Sequence, residues 1–72
     1  MLKAKDILVR DELTDDSEFG YGWGRRVWAE AEGRIIAEDY VAADARPHEV
    51  RASRRRVKHD AIRLLKQERL LK

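Results

Sequence analysis

The chain contains no cysteine among its 72 residues. Neither a disulfide nor a thiolate metal site can therefore stabilise the fold, which must depend on packing or on self-association. Long hydrophobic runs are absent as well, because the aliphatic runs are no longer than three residues, such as Ile7-Leu8-Val9. A transmembrane helix needs ~20 apolar residues, so we expect no membrane span and no membrane partner.

The start of the chain carries no secretory signal pattern. The segment Met1-Leu2-Lys3-Ala4-Lys5-Asp6 has lysines but no apolar stretch after them. Together with the absence of cysteine, this predicts a cytoplasmic location and a small protein of bacterial or phage-like type.

Length and composition predict one small domain over residues 1–72. Such a chain is too short for a doubly wound nucleotide-binding fold, a (β/α)₈ barrel or a two-domain enzyme. Charged residues make up 42% of the sequence, against ~25% in an average domain. Because few apolar side chains remain to be buried, we expect a thin core and modest stability.

The net charge of +2 conceals a division along the chain. Residues 1–45 carry six basic and eleven acidic side chains, a net charge of −5, whereas residues 46–72 carry ten basic and three acidic ones, a net charge of +7. The basic half is suited either to an anionic polymer or to the acidic half of the same or another molecule.

Local patterns predict three strands in an acidic sheet region over residues 5–43. The first strand covers residues 5–10, and an acidic loop follows at 14–18. Residues 23–31 alternate apolar and polar side chains with a period of two, which is typical of a half-buried strand. Glu32-Gly33 then predicts a two-residue hairpin turn, followed by a third strand over residues 34–41.

This turn also predicts a register in which Arg26 faces Asp39 and Ala29 faces Ile36. A helix over residues 35–43 is the alternative to the third strand, because its apolar positions also match helical spacing.

From Pro47 to the end, the sequence predicts a basic amphipathic helix over residues 47–72. Proline suits the first turn of a helix, and no glycine follows it. Its apolar positions fall on one stripe: Val50, Val57, Ala61, Leu64, Leu65 and Leu71. Arg54 lies beside that stripe, where we expect it to pair with an acidic strand residue. The fold class is therefore α+β, with a three-stranded antiparallel sheet followed by one long helix.

That helix is longer than the sheet can cover. About 25 helical residues span ~37 Å, whereas a seven-residue strand spans ~23 Å. We therefore expect the last two turns, with their leucines, to overhang as apolar anchors for a partner, unless the last turn frays.

No catalytic or cofactor pattern is present, so we expect neither an enzyme nor a small-molecule substrate. Ser53 is the hydroxyl on the predicted helix, but His59 lies six residues away and points elsewhere. His48 and His59 are eleven residues apart, which is too far for two ligands of one metal ion. We therefore expect no metal and no other cofactor.

The segment Gly20-Tyr21-Gly22-Trp23 resembles the centre of the aromatic RNA-binding motif of RRM and cold-shock domains, in which exposed rings stack on bases. The resemblance covers four residues and implies that Tyr21 and Trp23 contact bases. Burial of both rings in the core is the alternative, because the chain has few other large apolar residues.

Nucleic-acid binding is the first functional hypothesis. The stretch Arg54-Arg55-Arg56-Val57-Lys58-His59 is dense in cations, and such stretches are typical of phosphate contacts. A three-stranded sheet with one helix is similar in architecture to the N-terminal domains of some tyrosine recombinases and to plant AP2 domains, both of which bind DNA. The expected nucleic-acid contacts on the helix are Arg51, Arg55, Arg56, His59, Arg63 and Lys66.

The alternative hypothesis is a protein–protein interaction module, either a homodimer or a small phage-type inhibitor of a larger host protein. Trp28 falls on the strand face opposite to Val27, so we expect it to be exposed among charged neighbours. The expected partner contacts are Trp28, Leu64, Leu70 and Leu71. The two hypotheses differ in where the acidic side chains point, because pairing with them would remove the charge of the basic helix.

Overall fold

The structure of the protein, a computed structural model, describes residues 2–15 and 23–71. A short 3₁₀ helix, Ala4–Asp6, precedes the strands β1 (Leu8–Asp15), β2 (Trp23–Ala31) and β3 (Arg34–Ala42) and the helix α1 (Pro47–Gln67). The strands form one antiparallel sheet in the order β1-β2-β3. The predicted α+β arrangement is therefore confirmed, and residues 34–42 form a strand rather than a helix.

One face of the sheet packs against α1. Val27 and Ala29 of β2 are fully buried there, which confirms the predicted alternation along this strand. Their partners on α1 are Val57, Ala61 and Leu65, spaced by four residues so that they share one side of the helix. The core is accordingly a thin layer of small and medium side chains.

The predicted hairpin turn at Glu32-Gly33 is confirmed. Both residues have positive φ, 53° and 76°, as a type I′ turn requires. Pairing continues from Ala31 opposite Arg34 to Glu30 opposite Ile35.

The predicted register beyond this point is wrong by one residue. A bulge at Ile36 shifts the pairing, so that Ala29 faces Ala37 and Arg26 faces Tyr40. Both Ile36 and Ala37 are half-buried and pack against the core, which accounts for two consecutive inward residues in β3. The bulge also places Asp39 opposite Val27, on the face that α1 covers.

The first strand also differs from the prediction. Residues 4–6 form a 3₁₀ turn in which the Asp6 carboxylate accepts a hydrogen bond of 2.9 Å from the Lys3 backbone N–H. The strand then begins at Leu8 and continues through Thr14 and Asp15, which the sequence assigned to a loop. Acidic residues are tolerated in β1 because Asp11 lies on the helix-facing side, where arginines bind it.

The helix ends earlier than predicted, and its last two turns do not overhang. Arg69 adopts a left-handed φ of 59°, and the Leu70 N–H bonds the Leu65 carbonyl at 2.8 Å, which together form a Schellman stop. The chain then folds back, and Leu71 makes a parallel bridge with Leu2. Leu71 is only 9% exposed and belongs to the core, so its assignment as an exposed partner contact is wrong. No helix among residues 2–15 and 23–71 has the length and apolar character that crossing a membrane demands.

Candidate nucleic-acid interface

The helix α1 separates an apolar side from a basic side. The side toward the sheet carries Ser53, Val57, Ala61 and Leu65, all buried. The six predicted nucleic-acid contacts all lie on α1, and all are exposed: Arg51, Arg55, Arg56, His59, Arg63 and Lys66. The sequence thus located these cations correctly on the solvent side of one element.

Asp11 of β1 neutralises cations between the sheet and the helix. One carboxylate oxygen accepts a hydrogen bond of 2.6 Å from Arg25, and the other accepts one from Arg54. Arg54 also donates to the Val9 carbonyl oxygen at 3.1 Å. The predicted pairing of Arg54 with an acidic strand residue is confirmed, and it fixes this guanidinium against the edge of β1.

Asp39 of β3 makes a second contact between sheet and helix. It accepts hydrogen bonds from the Ser53 hydroxyl at 2.7 Å and from Arg56 at 2.8 Å. Burial acts to raise the pKa of Asp39, but the hydrogen bonds from Arg56, Ser53 and the Tyr40 backbone outweigh it and hold that pKa below its usual value. Arg56 is therefore an ion-pair partner of β3 as well as an exposed cation.

The other cations of α1 differ in their pairing. Arg63 contacts Asp60 at 3.2 Å in an exposed i,i+3 pair, which contributes little. Within residues 2–15 and 23–71, no acidic side chain forms an ion pair with Arg51, Arg55, Lys58 or Lys66. We call the exposed side of the helix the solvent face of α1 and define it by Arg51, Arg55, Lys58, His59, Arg63 and Lys66.

Lys58 was not among the predicted contacts. It is exposed and lies one turn after Arg54, on the side of the helix toward β1. The signal that could have identified it is its place in the Arg54–His59 stretch, at helical spacing from Arg54 and Arg55.

Trp28 lies on the sheet face that α1 does not cover, as predicted. It is half-buried rather than exposed, because the Arg26 guanidinium lies 5.2 Å from the ring centre. Arg26 in turn binds Glu38 at 2.7 Å, and this hydrogen bond raises the pKa of Arg26. We call this surface the outer sheet face, with Trp28 at its centre between Arg10 and Glu38.

The remaining predicted partner contacts do not join Trp28 in one patch. Leu64 is half-buried on α1, whereas Leu70 is 43% exposed. Leu70 lines a groove of about 370 Å³ with Leu2 and Ile36, near the hairpin turn. Tyr21 and the side chain of Trp23 lie outside the described residues.

Neither histidine belongs to a site for covalent chemistry. Ser53 is buried and donates to Asp39, while His48 and His59 are exposed. Among residues 2–15 and 23–71, no three metal-ligating side chains come together. Comparison of the chain with protein-family models, with curated proteins and with solved structures finds no match in any of the three.

Proposed function

We propose that the protein binds nucleic acid through phosphate contacts on the solvent face of α1. The observation that carries this proposal is the distribution of ion pairs. Asp11 and Asp39 contact Arg25, Arg54 and Arg56, whereas Arg51, Arg55, Lys58 and Lys66 have no acidic partner in residues 2–15 and 23–71.

The charge and shape of α1 favour an anionic polymer. The helix carries seven lysines and arginines against Glu49 and Asp60. Arg51, Arg55, His59 and Arg63 repeat every four residues, which spaces them ~6 Å apart along the helix axis. Each lysine or arginine that meets a phosphate releases condensed counterions, so a row of such residues supports binding without base contacts.

The acidic sheet does not oppose this proposal. Asp11 and Asp39 face the helix and are held by arginines. Glu12, Glu30 and Glu38 alternate with them and lie on the outer sheet face, on the side of the molecule away from the solvent face of α1. A phosphate that approaches the helix therefore meets cations first.

Fluorescence anisotropy of a labelled duplex, titrated at several salt concentrations, tests the proposal. We expect micromolar binding at low salt that weakens steeply as salt rises. Replacing Arg51, Arg55, Arg63 and Lys66 by glutamine removes up to four phosphate contacts and lowers the salt slope by ~3.6, at ~0.9 for each contact.

The matched control removes the same charge from other surfaces, through glutamine at Lys3, Lys5, Arg10 and Arg34. These side chains are exposed and lie outside α1. The control is expected to retain most of the slope. Equal losses in both variants would reduce the effect to net charge, and absence of low-salt binding by the natural chain would exclude the function.

A second candidate function, homodimerisation, is favoured by the outer sheet face. No helix or strand of the described residues covers this face, and it exposes Leu8 and Ile35 on opposite edge strands. The pairing rows are Leu8–Glu30–Ile35 and Arg10–Trp28–Glu38. A two-fold axis parallel to β2 would set each β1 over the partner's β3, with leucine over isoleucine and arginine over glutamate.

A further inference from the structure

We infer that the phosphate contacts concentrate on one flank of the helix, in the groove between α1 and the edge of β1. This β1-side groove is defined by Arg51, Arg55 and Lys58, with Arg54 at its base. The inference rests on the proposed function and specifies which part of the solvent face of α1 receives the phosphate backbone.

Two adjoining depressions make the groove continuous. One, of about 380 Å³, is lined by Arg51, Arg54 and Arg55. The next, of about 350 Å³, is lined by Arg54, Arg55, Lys58 and the β1-side residues 7–9. Because both share Arg54 and Arg55, the cations converge on a single concave surface rather than pointing away from each other.

Arg54 gives this groove a fixed wall. Its guanidinium binds both Asp11 and the Val9 carbonyl, so its position is determined by the sheet. The Asp11 carboxylate is shared with Arg25. Both oxygens of Asp11 are thus occupied by inward-facing arginines, and Arg51, Arg55 and Lys58 keep their full charge.

The opposite flank of α1 is weaker as an anion site. Its cations face acidic groups: Arg56 binds Asp39 at 2.8 Å, and Arg63 binds Asp60 at 3.2 Å. A phosphate on that flank would compete with these carboxylates. The difference between the flanks follows from the position of Asp39 on the helix-facing side of β3 and of Asp60 on α1 itself.

The lining of the groove favours a duplex backbone over a single strand. Its described residues are basic or aliphatic, without an aromatic ring on which a base could stack. Single-strand binding typically combines cations with such rings. The groove therefore contacts phosphates, and binding through it is insensitive to base sequence.

The test compares two triple variants of the whole chain, with identical charge change. The groove variant carries glutamine at Arg51, Arg55 and Lys58, and the opposite-flank variant carries glutamine at Arg56, Arg63 and Lys66. Binding of a labelled duplex is measured against salt for both, after circular dichroism and thermal unfolding show that each is folded. We expect the groove variant to lose ~2.7 of the salt slope and the opposite-flank variant ~1 or less.

Equal losses in the two variants would overturn the inference while leaving the proposed function in place. Absence of duplex binding by the natural chain would remove both. A second measurement does not depend on the variants: ¹⁵N-labelled natural chain is titrated with the duplex or with polyglutamate, and the arginine side-chain signals are followed. Shifts of Arg51 and Arg55 with the duplex support the inference, and shifts with polyglutamate alone overturn it in favour of an acidic protein partner.

Discussion

At the scale of single residues, Asp39 connects the sheet irregularity with the chemistry of the helix. The bulge at Ile36 turns Asp39 toward α1, where it accepts hydrogen bonds from Ser53 and Arg56. Because Ser53 is completely buried, its hydroxyl needs this acceptor. One carboxylate thus satisfies a buried donor and reduces the charge of a predicted phosphate contact.

The lowered pKa of Asp39 predicts a loss of stability in acid. Since this pKa is lower in the folded than in the unfolded chain, the ionised carboxylate stabilises the fold above its ordinary pKa of ~3.9. That contribution disappears as pH falls through the folded pKa. We expect D39N to be less stable than the natural chain by about 1 kcal/mol at pH 7, and the difference to shrink below pH ~4.

Urea unfolding of both chains between pH 7 and pH 2 measures this difference. The matched control is D60N, which removes a carboxylate from the exposed pair with Arg63 and is expected to cost under ~0.5 kcal/mol. A stability gap between D39N and the natural chain that stays constant down to pH 2 would contradict the assignment.

At the scale of elements, the sequence predicts regular structure well and irregular structure poorly. The alternation in β2, the turn at Glu32-Gly33 and the apolar stripe of α1 are periodic or composition-driven signals, and all three are confirmed. The bulge at Ile36 lacks such a signal, because Ile35 and Ile36 are both apolar and either can face inward.

The candidate site follows the same division. Helical spacing was sufficient to bring the six predicted cations onto one exposed surface of α1. It could not show that Arg56 is paired with Asp39, because that contact depends on the bulge in another element. It also could not show the burial of Leu71, which depends on a left-handed residue at Arg69 and a bridge to Leu2.

The stop of α1 at Arg69 yields a prediction about stability. A residue with a side chain costs ~1–2 kcal/mol in the left-handed region, whereas glycine adopts it without strain but loses more entropy on folding. We expect R69G to stabilise the fold by ~0.5–1 kcal/mol in urea or thermal unfolding. R69A removes the same charge but keeps the Cβ atom, so it is expected to lack this gain; equal stability of the two variants would refute the explanation.

At the scale of the whole molecule, the two halves of the sequence become two opposite surfaces. Part of the acidic charge is used internally, by Asp11 and Asp39, and part lies on the outer sheet face with Glu12, Glu30 and Glu38. The solvent face of α1 lies on the other side of the sheet. Dimerisation through the outer sheet faces would therefore leave two basic helices free, and both candidate functions can operate in one assembly.

Homodimerisation gives the last prediction. The outer sheet face is small, since three strands ~4.8 Å apart cover less than the ~800 Å² per partner of a standard interface, so we expect association in the micromolar range or weaker. Sedimentation velocity across a concentration series should show a shift from 8.4 kDa toward twice that mass.

Two leucines provide a matched pair of variants. Leu8 is 52% exposed on the outer sheet face, and Leu70 is 43% exposed at the end of α1. L8K introduces a charge opposite Ile35 of the second copy and should give a monomer, as should W28T, which removes the central ring. L70K makes the same chemical change outside the proposed contact and should leave the mass unchanged. A natural chain that stays monomeric at several hundred micromolar, or an L8K variant that associates as the natural chain does, would exclude the outer sheet face as a self-association surface.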